Sequence, residues 1–271
     1  MRRLQEAFRK TKGEGRAAFV AYVTCGDPTL GRTKELVRAF TEAGVDIVEF
    51  GVPFSDPMAD GVANQEAANR ALAQGVTLDD VLMTIRDLRA EACEMPVVLF
   101  TYYNPVFAYG VERFARDAAS AGADGVLLVD VPVEEAGDCK GFLDAAGLAT
   151  IFLVAPTTEP ARLPNILRRT TGFVYYVSRT GVTGERESIR RDIRSHVEAI
   201  RAQTDLPVAV GFGISTPAHV REVAGLADGV VVGSAIVRRI GAGGDTQAMV
   251  TEVTAFVRSL TAALRDSRTS V

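Results

Sequence analysis

Short runs of Val, Ile, Leu and Phe recur along this 271-residue chain, each followed by turn residues and then by a longer stretch of helical period. The runs that read as strands are 18–24, 47–51, 97–102, 125–129, 150–154, 173–177, 208–211 and 229–232. The stretches of helical period are 31–43, 63–73, 78–92, 111–121, 134–146, 161–169, 187–202, 217–223 and 246–265. Residues 1–12 add a short amphipathic helix with Leu4 and Phe8 on one face. The strand runs do not alternate apolar with polar, as befits parallel strands covered by helices on one side and packed against each other on the other. Eight such units predict an α/β fold, a (β/α)8 TIM barrel, with an N-terminal helix and an extra helix after the second strand. Gly44, Gly75, Gly122 and Gly147 punctuate helix ends, and Thr216-Pro217 opens one. No linker, low-complexity tract or charge block divides the chain, so residues 1–271 read as one barrel domain.

Composition narrows the function. Near-even charges, summing to −4, and basic residues scattered among acids give no stripe for nucleic acid. No apolar run approaches the roughly 18 residues of a membrane span, and no signal-peptide core is present. Three cysteines without CxxC or metal-ligand spacing point to a reducing, cytoplasmic setting.

In this fold chemistry belongs at the C-terminal ends of the strands. His196 and His219 fall on outer helices, and none of the four lysines ends a strand, which argues against a metal-dependent or Schiff-base aldolase. Cys25 follows the first strand, yet no base accompanies it. Glu49 is different. It lies inside the second apolar run, and if Ile47, Glu49 and Gly51 share a face, that carboxyl points into the barrel. An ionised carboxylate there needs a partner or raises its pKa, and no strand candidate carries an interior Arg or Lys to pair with it. A glutamate lifted toward neutrality suits general acid-base work. Asp60, ahead of Gly61 at a helix start, reads first as a cap or turn residue and second as a catalytic carboxylate. Asp56, before Pro57, reads as a turn former.

Three Gly-rich loops late in the chain, 178–184, 211–215 and 233–235, fit the phosphate site typical of this fold. The polar loop from 178 to about 188 suits a lid. Tyr22, Phe100, Tyr102, Leu127, Tyr175 and Phe212 lie at or near strand ends and are candidates to wall an apolar pocket for a flat ring.

Several of these motifs occur together in one family. Phe19-Val-Ala-Tyr-Val-Thr24, Gly26-Asp-Pro28, Glu49-Phe-Gly-Val-Pro-Phe-Ser-Asp-Pro-Met-Ala-Asp60-Gly61, Asp130-Val-Pro132, Ser178-Arg-Thr-Gly-Val-Thr-Gly184 and Gly211-Phe-Gly-Ile-Ser215 closely resemble the tryptophan synthase alpha subunit, nearly end to end. The resemblance implies a lyase that cleaves indole-3-glycerol phosphate by a retro-aldol reaction, beside a beta subunit in an alpha2-beta2 complex and without metal or organic cofactor of its own. It implies that Glu49 and Asp60 are the catalytic pair, and that Gly184, Gly213, Gly233 and Ser234 hold the phosphate. It further implies that Thr183 sits on a lid closing toward Asp60. Whether Glu49 makes both proton transfers or Tyr175 shares them stays open. The chain departs from the family just after Asp60, at Val62-Ala63-Asn64, which places Asn64 at the pocket wall, and again at Cys25. A free-standing indole-releasing lyase and a non-catalytic activator subunit are the alternatives.

Overall fold

The computed structural model is described over residues 1–178, 186–211 and 213–265. Among these, one all-parallel sheet contains β1 (Ala18–Thr24), β2 (Ile47–Gly51), β3 (Val97–Thr101), β4 (Gly125–Leu128), β5 (Ala149–Ile151), β6 (Leu153–Val154), β7 (Val174–Val177), β8 (Val208–Gly211) and β9 (Gly229–Val232). The hydrogen-bonded order is β5-β4-β3-β2-β1-β9-β8-β7-β6. Its two ends are one piece of chain, because only Phe152 separates β5 from β6. The first half pairs with β4 (Leu127↔Ile151) and the second with β7 (Leu153↔Tyr175), so the sheet closes through the chain itself. The expected fifth strand is therefore one strand in two hydrogen-bonded segments, and the fold is the expected (β/α)8 barrel.

Alternation along each strand sorts its side chains into two apolar sets. Phe19, Ala21, Val23, Val48 and Phe50 face the outer helices. Val20, Ile47, Val98, Leu127 and Ile151 fill the interior. The helix Arg2–Gly13 caps the N-terminal end of the barrel: Leu4 and Phe8 are buried with the interior set, and Phe8 lies 5.5 Å from the Phe173 ring. Burying each contributes about 1.5–3 kcal/mol. Arg3 ties the same helix to Asp124, just ahead of β4, at 3.3 Å.

Two helices, Val62–Ala73 and Leu78–Ala90, follow β2, as the periodicity predicts. Two more have no counterpart in the sequence reading, Tyr103–Tyr109 after β3 and Ser234–Gly243 after β9. Each is short and begins within two residues of its strand, so its period is hidden by the strand's own apolar run. Tyr102, read as the end of the third strand, is instead the N-cap residue of Tyr103–Tyr109.

Candidate active site

Glu49 is the third residue of β2, flanked by Val48 and Phe50, which turn outward, so its own side chain enters the barrel beside Tyr22 and Val98. It is fully buried, and neither carboxyl oxygen has a hydrogen-bond partner among the described residues. The ion pair weighed from the sequence is absent from the described residues. Burial pushes its pKa up to about 8, so the neutral acid prevails at neutral pH.

Two phenols stand close by. A Cβ placed on Gly51 would collide with the Tyr22 hydroxyl, and one on Gly211 with the Tyr175 hydroxyl, so both strand-end glycines are required by the close approach of those rings. Burial raises the pKa of both phenols. For Tyr22 the Asp60 charge is the next cause; for Tyr175 it is Glu49. Both stay protonated, so each offers a hydroxyl donor and not a base. Phe100 packs edge-on against Tyr22 at 5.2 Å, and Leu127 sits beside Phe100 across the β3–β4 ladder. Four of the six expected wall residues, Tyr22, Phe100, Leu127 and Tyr175, thus share the upper interior.

Asp60 is built by the loop that leaves β2. Its N–H donates to the Pro57 carbonyl at 3.0 Å, and the N-cap position of helix Val62–Ala73 goes to Gly61, so the carboxylate is not spent as a helix cap. It accepts instead from the Tyr102 hydroxyl at 2.8 Å and from Asn64 Nδ2 at 3.2 Å. Burial raises the Asp60 pKa, opposed by these two donors in that order. Tyr102 was expected only as a ring in the pocket wall. Its hydroxyl also accepts the Ala59 N–H at 3.0 Å, so it fixes the loop at two points. Nothing in the sequence marks that phenol, because its partner is remote along the chain. Asn64 did carry a signal: a polar side chain on the first turn of a helix can reach back across its start.

After β9, the neighbour of β1, Gly233 is the N-cap of helix Ser234–Gly243, and its carbonyl accepts from the N–H groups of Ile236 and Val237 at 2.8 and 3.1 Å. The N–H groups of Ser234 and Ala235 have no intrahelical acceptor and are available to an anion. A Cβ at Gly233 would lie 3.3 Å from Tyr22 Cβ, which puts this helix start beside the ring pocket. Gly213 adopts φ 73°, the left-handed region that favours glycine. Thr183, Gly184 and Phe212, together with most of the lid loop, lie outside the described residues.

Other candidates fall elsewhere. Cys25 is buried and its thiol is pushed up to about 12 by burial, so it is inert. His196 lies on the helix Arg186–Arg201 and stacks on Tyr176 of β7, and His219 lies on Pro217–Ala224. No group of three or more His, Cys, Asp or Glu that could hold a metal occurs among the described residues. A groove of about 1010 Å³ opens at the opposite, N-terminal end of the barrel, but its three arginines are already paired, Arg9 with Glu6, Arg16 with Asp46 and Arg201 with Asp228.

The family model described as tryptophan synthase alpha chain matches residues 8–265. The chain belongs to the tryptophan synthase alpha chain family. Relatives carrying that name include those of Geobacter sulfurreducens, 51% identical over 238 residues (88% of this chain, 90% of the relative), and Solibacter usitatus, 49% identical over 260 residues (96% and 97%). Among solved structures, tryptophan synthase subunit alpha from Legionella pneumophila superposes with a TM-score of 0.88 at 35% identity, covering 97% of this chain and 98% of that one. A chain of the open form of tryptophan synthase from M. tuberculosis gives 0.87 at 34% identity, with 97% and 98% covered. Membership in the alpha chain family agrees with the sequence resemblance and with the barrel.

Proposed function

We propose that the chain is the lyase of the alpha reaction, cleaving indole-3-glycerol phosphate to indole and glyceraldehyde 3-phosphate in tryptophan biosynthesis, and that its whole length acts as one barrel domain. The observation that carries the reading is Glu49: a fully buried carboxyl, unpaired among the described residues and neutral at neutral pH, at the mouth of an alpha-family barrel.

The chemistry follows from that acid. Glu49 delivers its proton to indole C3, and the ring takes on positive charge. Asp60, ionised, accepts the ring N–H and stabilises that charge as it develops. The bond from C3 to the side chain breaks with its electron pair returning to the ring. Glu49, now a carboxylate, takes the proton of the hydroxyl on the departing carbon, whose O–H pair becomes the aldehyde C=O. One proton enters and one leaves, so the acid is regenerated. Tyr175, held protonated beside Glu49, supports this as a hydrogen-bond donor. Tyr22, Phe100, Leu127 and Tyr102 wall the ring, with Phe212 and Thr183 assigned to the same pocket. Gly184, Gly213, Gly233 and Ser234 take the phosphate, whose binding energy fixes C3 against the acid.

A beta-subunit partner, in an alpha2-beta2 complex, suits the apolar side chains exposed on the connections after β2 and β3: Met58, Val62 and Phe107 are 90%, 70% and 65% exposed. Three free cysteines accord with a reducing, cytoplasmic site of action. The test is indole release from indole-3-glycerol phosphate by the full chain, with and without added beta subunit. Release that the partner stimulates supports the reading. No release under either condition refutes it, and high release that the partner leaves unchanged indicates a free-standing lyase.

A further inference from the structure

Asn64 stands on the first turn of helix Val62–Ala73, with its own N–H donating to the Gly61 carbonyl at 3.0 Å. Its side chain turns back over the helix start and donates from Nδ2 to Oδ1 of Asp60 at 3.2 Å. The next residue, Gln65, donates from Nε2 to the Asp60 carbonyl oxygen at 2.7 Å. Tyr102, the N-cap residue just past β3, holds the other carboxylate oxygen, Oδ2. Among the described residues each carboxylate oxygen of Asp60 therefore has one donor, from a different element, which leaves a lone pair on each for a ligand. The helix that brings Asn64 is itself anchored: Arg70 makes a two-pronged pair with buried Asp27 in the loop after β1, at 2.8 and 2.9 Å.

Packing alone does not account for an amide at this position. Asn64 Oδ1 is buried without a partner among the described residues, a cost that an apolar side chain of similar size avoids. The amide nitrogen that comes with it has one partner among the described residues, the carboxylate. We propose that Asn64 is a positioning residue, whose amide N–H fixes the Asp60 carboxylate so that its remaining lone pairs meet the ring N–H of the substrate. The proposal rests on the reading of Asp60 as the group that accepts that N–H.

A donor to the ionised form favours it, so losing Asn64 raises the pH at which Asp60 becomes ionised. Among the described residues the other titratable groups facing Asp60 are Tyr102, Tyr22 and Tyr175, all phenols that remain protonated. Asp130 and Glu49 lie one step further, Asp130 acting on Tyr102 and Glu49 on Tyr22 and Tyr175.

Steady-state indole release is measured across pH for the full chain and for Asn64→Leu, Asn64→Asp, Asp60→Asn and the double variant Asp60→Asn with Asn64→Leu. Asn64→Leu lowers kcat about tenfold, the loss of one hydrogen bond to a charged group. KM stays within about twofold because the phosphate anchor is untouched. Its acid limb moves to higher pH, and that of Asn64→Asp moves further, since a second carboxylate disfavours ionisation of the first. In the Asp60→Asn background Asn64→Leu adds no further loss. An unmoved acid limb, or a loss that adds in full in the double variant, overturns the proposal. Near-normal activity of Asp60→Asn removes the reading of Asp60 on which the proposal stands. An impaired Asp60→Asn beside a native-like Asn64→Leu removes the proposal alone. Should Asn64→Leu fail to fold by circular dichroism, Asn64→Ala decides on the same acid limb.

Discussion

Glu49 and Asp124 are both carboxylates at 0% exposure in one barrel, and they are held in opposite ways. Asp124, at the N-terminal end, receives Arg89 at 3.0 Å and the Val97 N–H at 3.1 Å on one oxygen, and Arg3 at 3.3 Å on the other. Glu49, on the side where the strands end, receives nothing from the described residues. Burial is the same; only the partners differ. A satisfied buried charge holds elements together, here the N-terminal helix, β3 and the connection to β4. Where no partner satisfies the charge, the ion is destabilised and the group keeps its proton at neutral pH, available as a general acid, which is why the unpaired member is the candidate for chemistry.

Substitution separates the two most sharply in activity. Glu49→Gln and Asp60→Asn each lower indole release at least about a hundredfold with the fold intact by circular dichroism. Near-normal turnover in either variant removes that residue from the mechanism. Asp124→Asn does the reverse: it costs about 2–4 kcal/mol in urea unfolding, because Arg3 and Arg89 lose their charged partner, while kcat per folded molecule stays native. A catalytic defect at unchanged stability would erase the distinction between the two carboxylates.

Linkage gives a smaller signal of the same contrast. The folded-state pKa of Glu49, about 8, lies above its ordinary value of 4.5, so between these two pH values the folded chain binds more protons than the unfolded one. This group's contribution to stability is therefore intact below about pH 4.5, declines as pH rises, and levels off above about 8. Glu49→Gln lacks that decline, so its melting temperature exceeds the native one on the order of 5 °C at pH 8, with the gap closing toward pH 4.5. A gap independent of pH would mean that Glu49 is not the buried, proton-retaining carboxyl described. The smallest effect belongs to Tyr175→Phe, about a fivefold fall in kcat, the loss of one neutral hydrogen bond. A hundredfold fall would instead place Tyr175 among the groups that carry protons.

Asn64 and Tyr102 mark where reading along the chain ends. Tyr102 was legible as an aromatic residue near a strand end, but not as the donor that grips Asp60, since β3 meets the loop after β2 only in the folded barrel. The two short helices, Tyr103–Tyr109 and Ser234–Gly243, were hidden for a local reason, having too few turns to show a period next to a strand. The fifth strand read as continuous because periodicity reports side-chain direction and not which neighbour takes the backbone hydrogen bonds on either side of Phe152.

By itself the sequence determined the eight strand–helix units, the inward face of Glu49 and the lack of a strand-borne cation to pair with it. All of these follow from local period and residue type. Only the tertiary structure decided how Asp60 is used. A loop carboxylate has no period to place it, and its role depends on Tyr102 and Asn64, donors that closure of the barrel and the packing of one helix bring to its two oxygens.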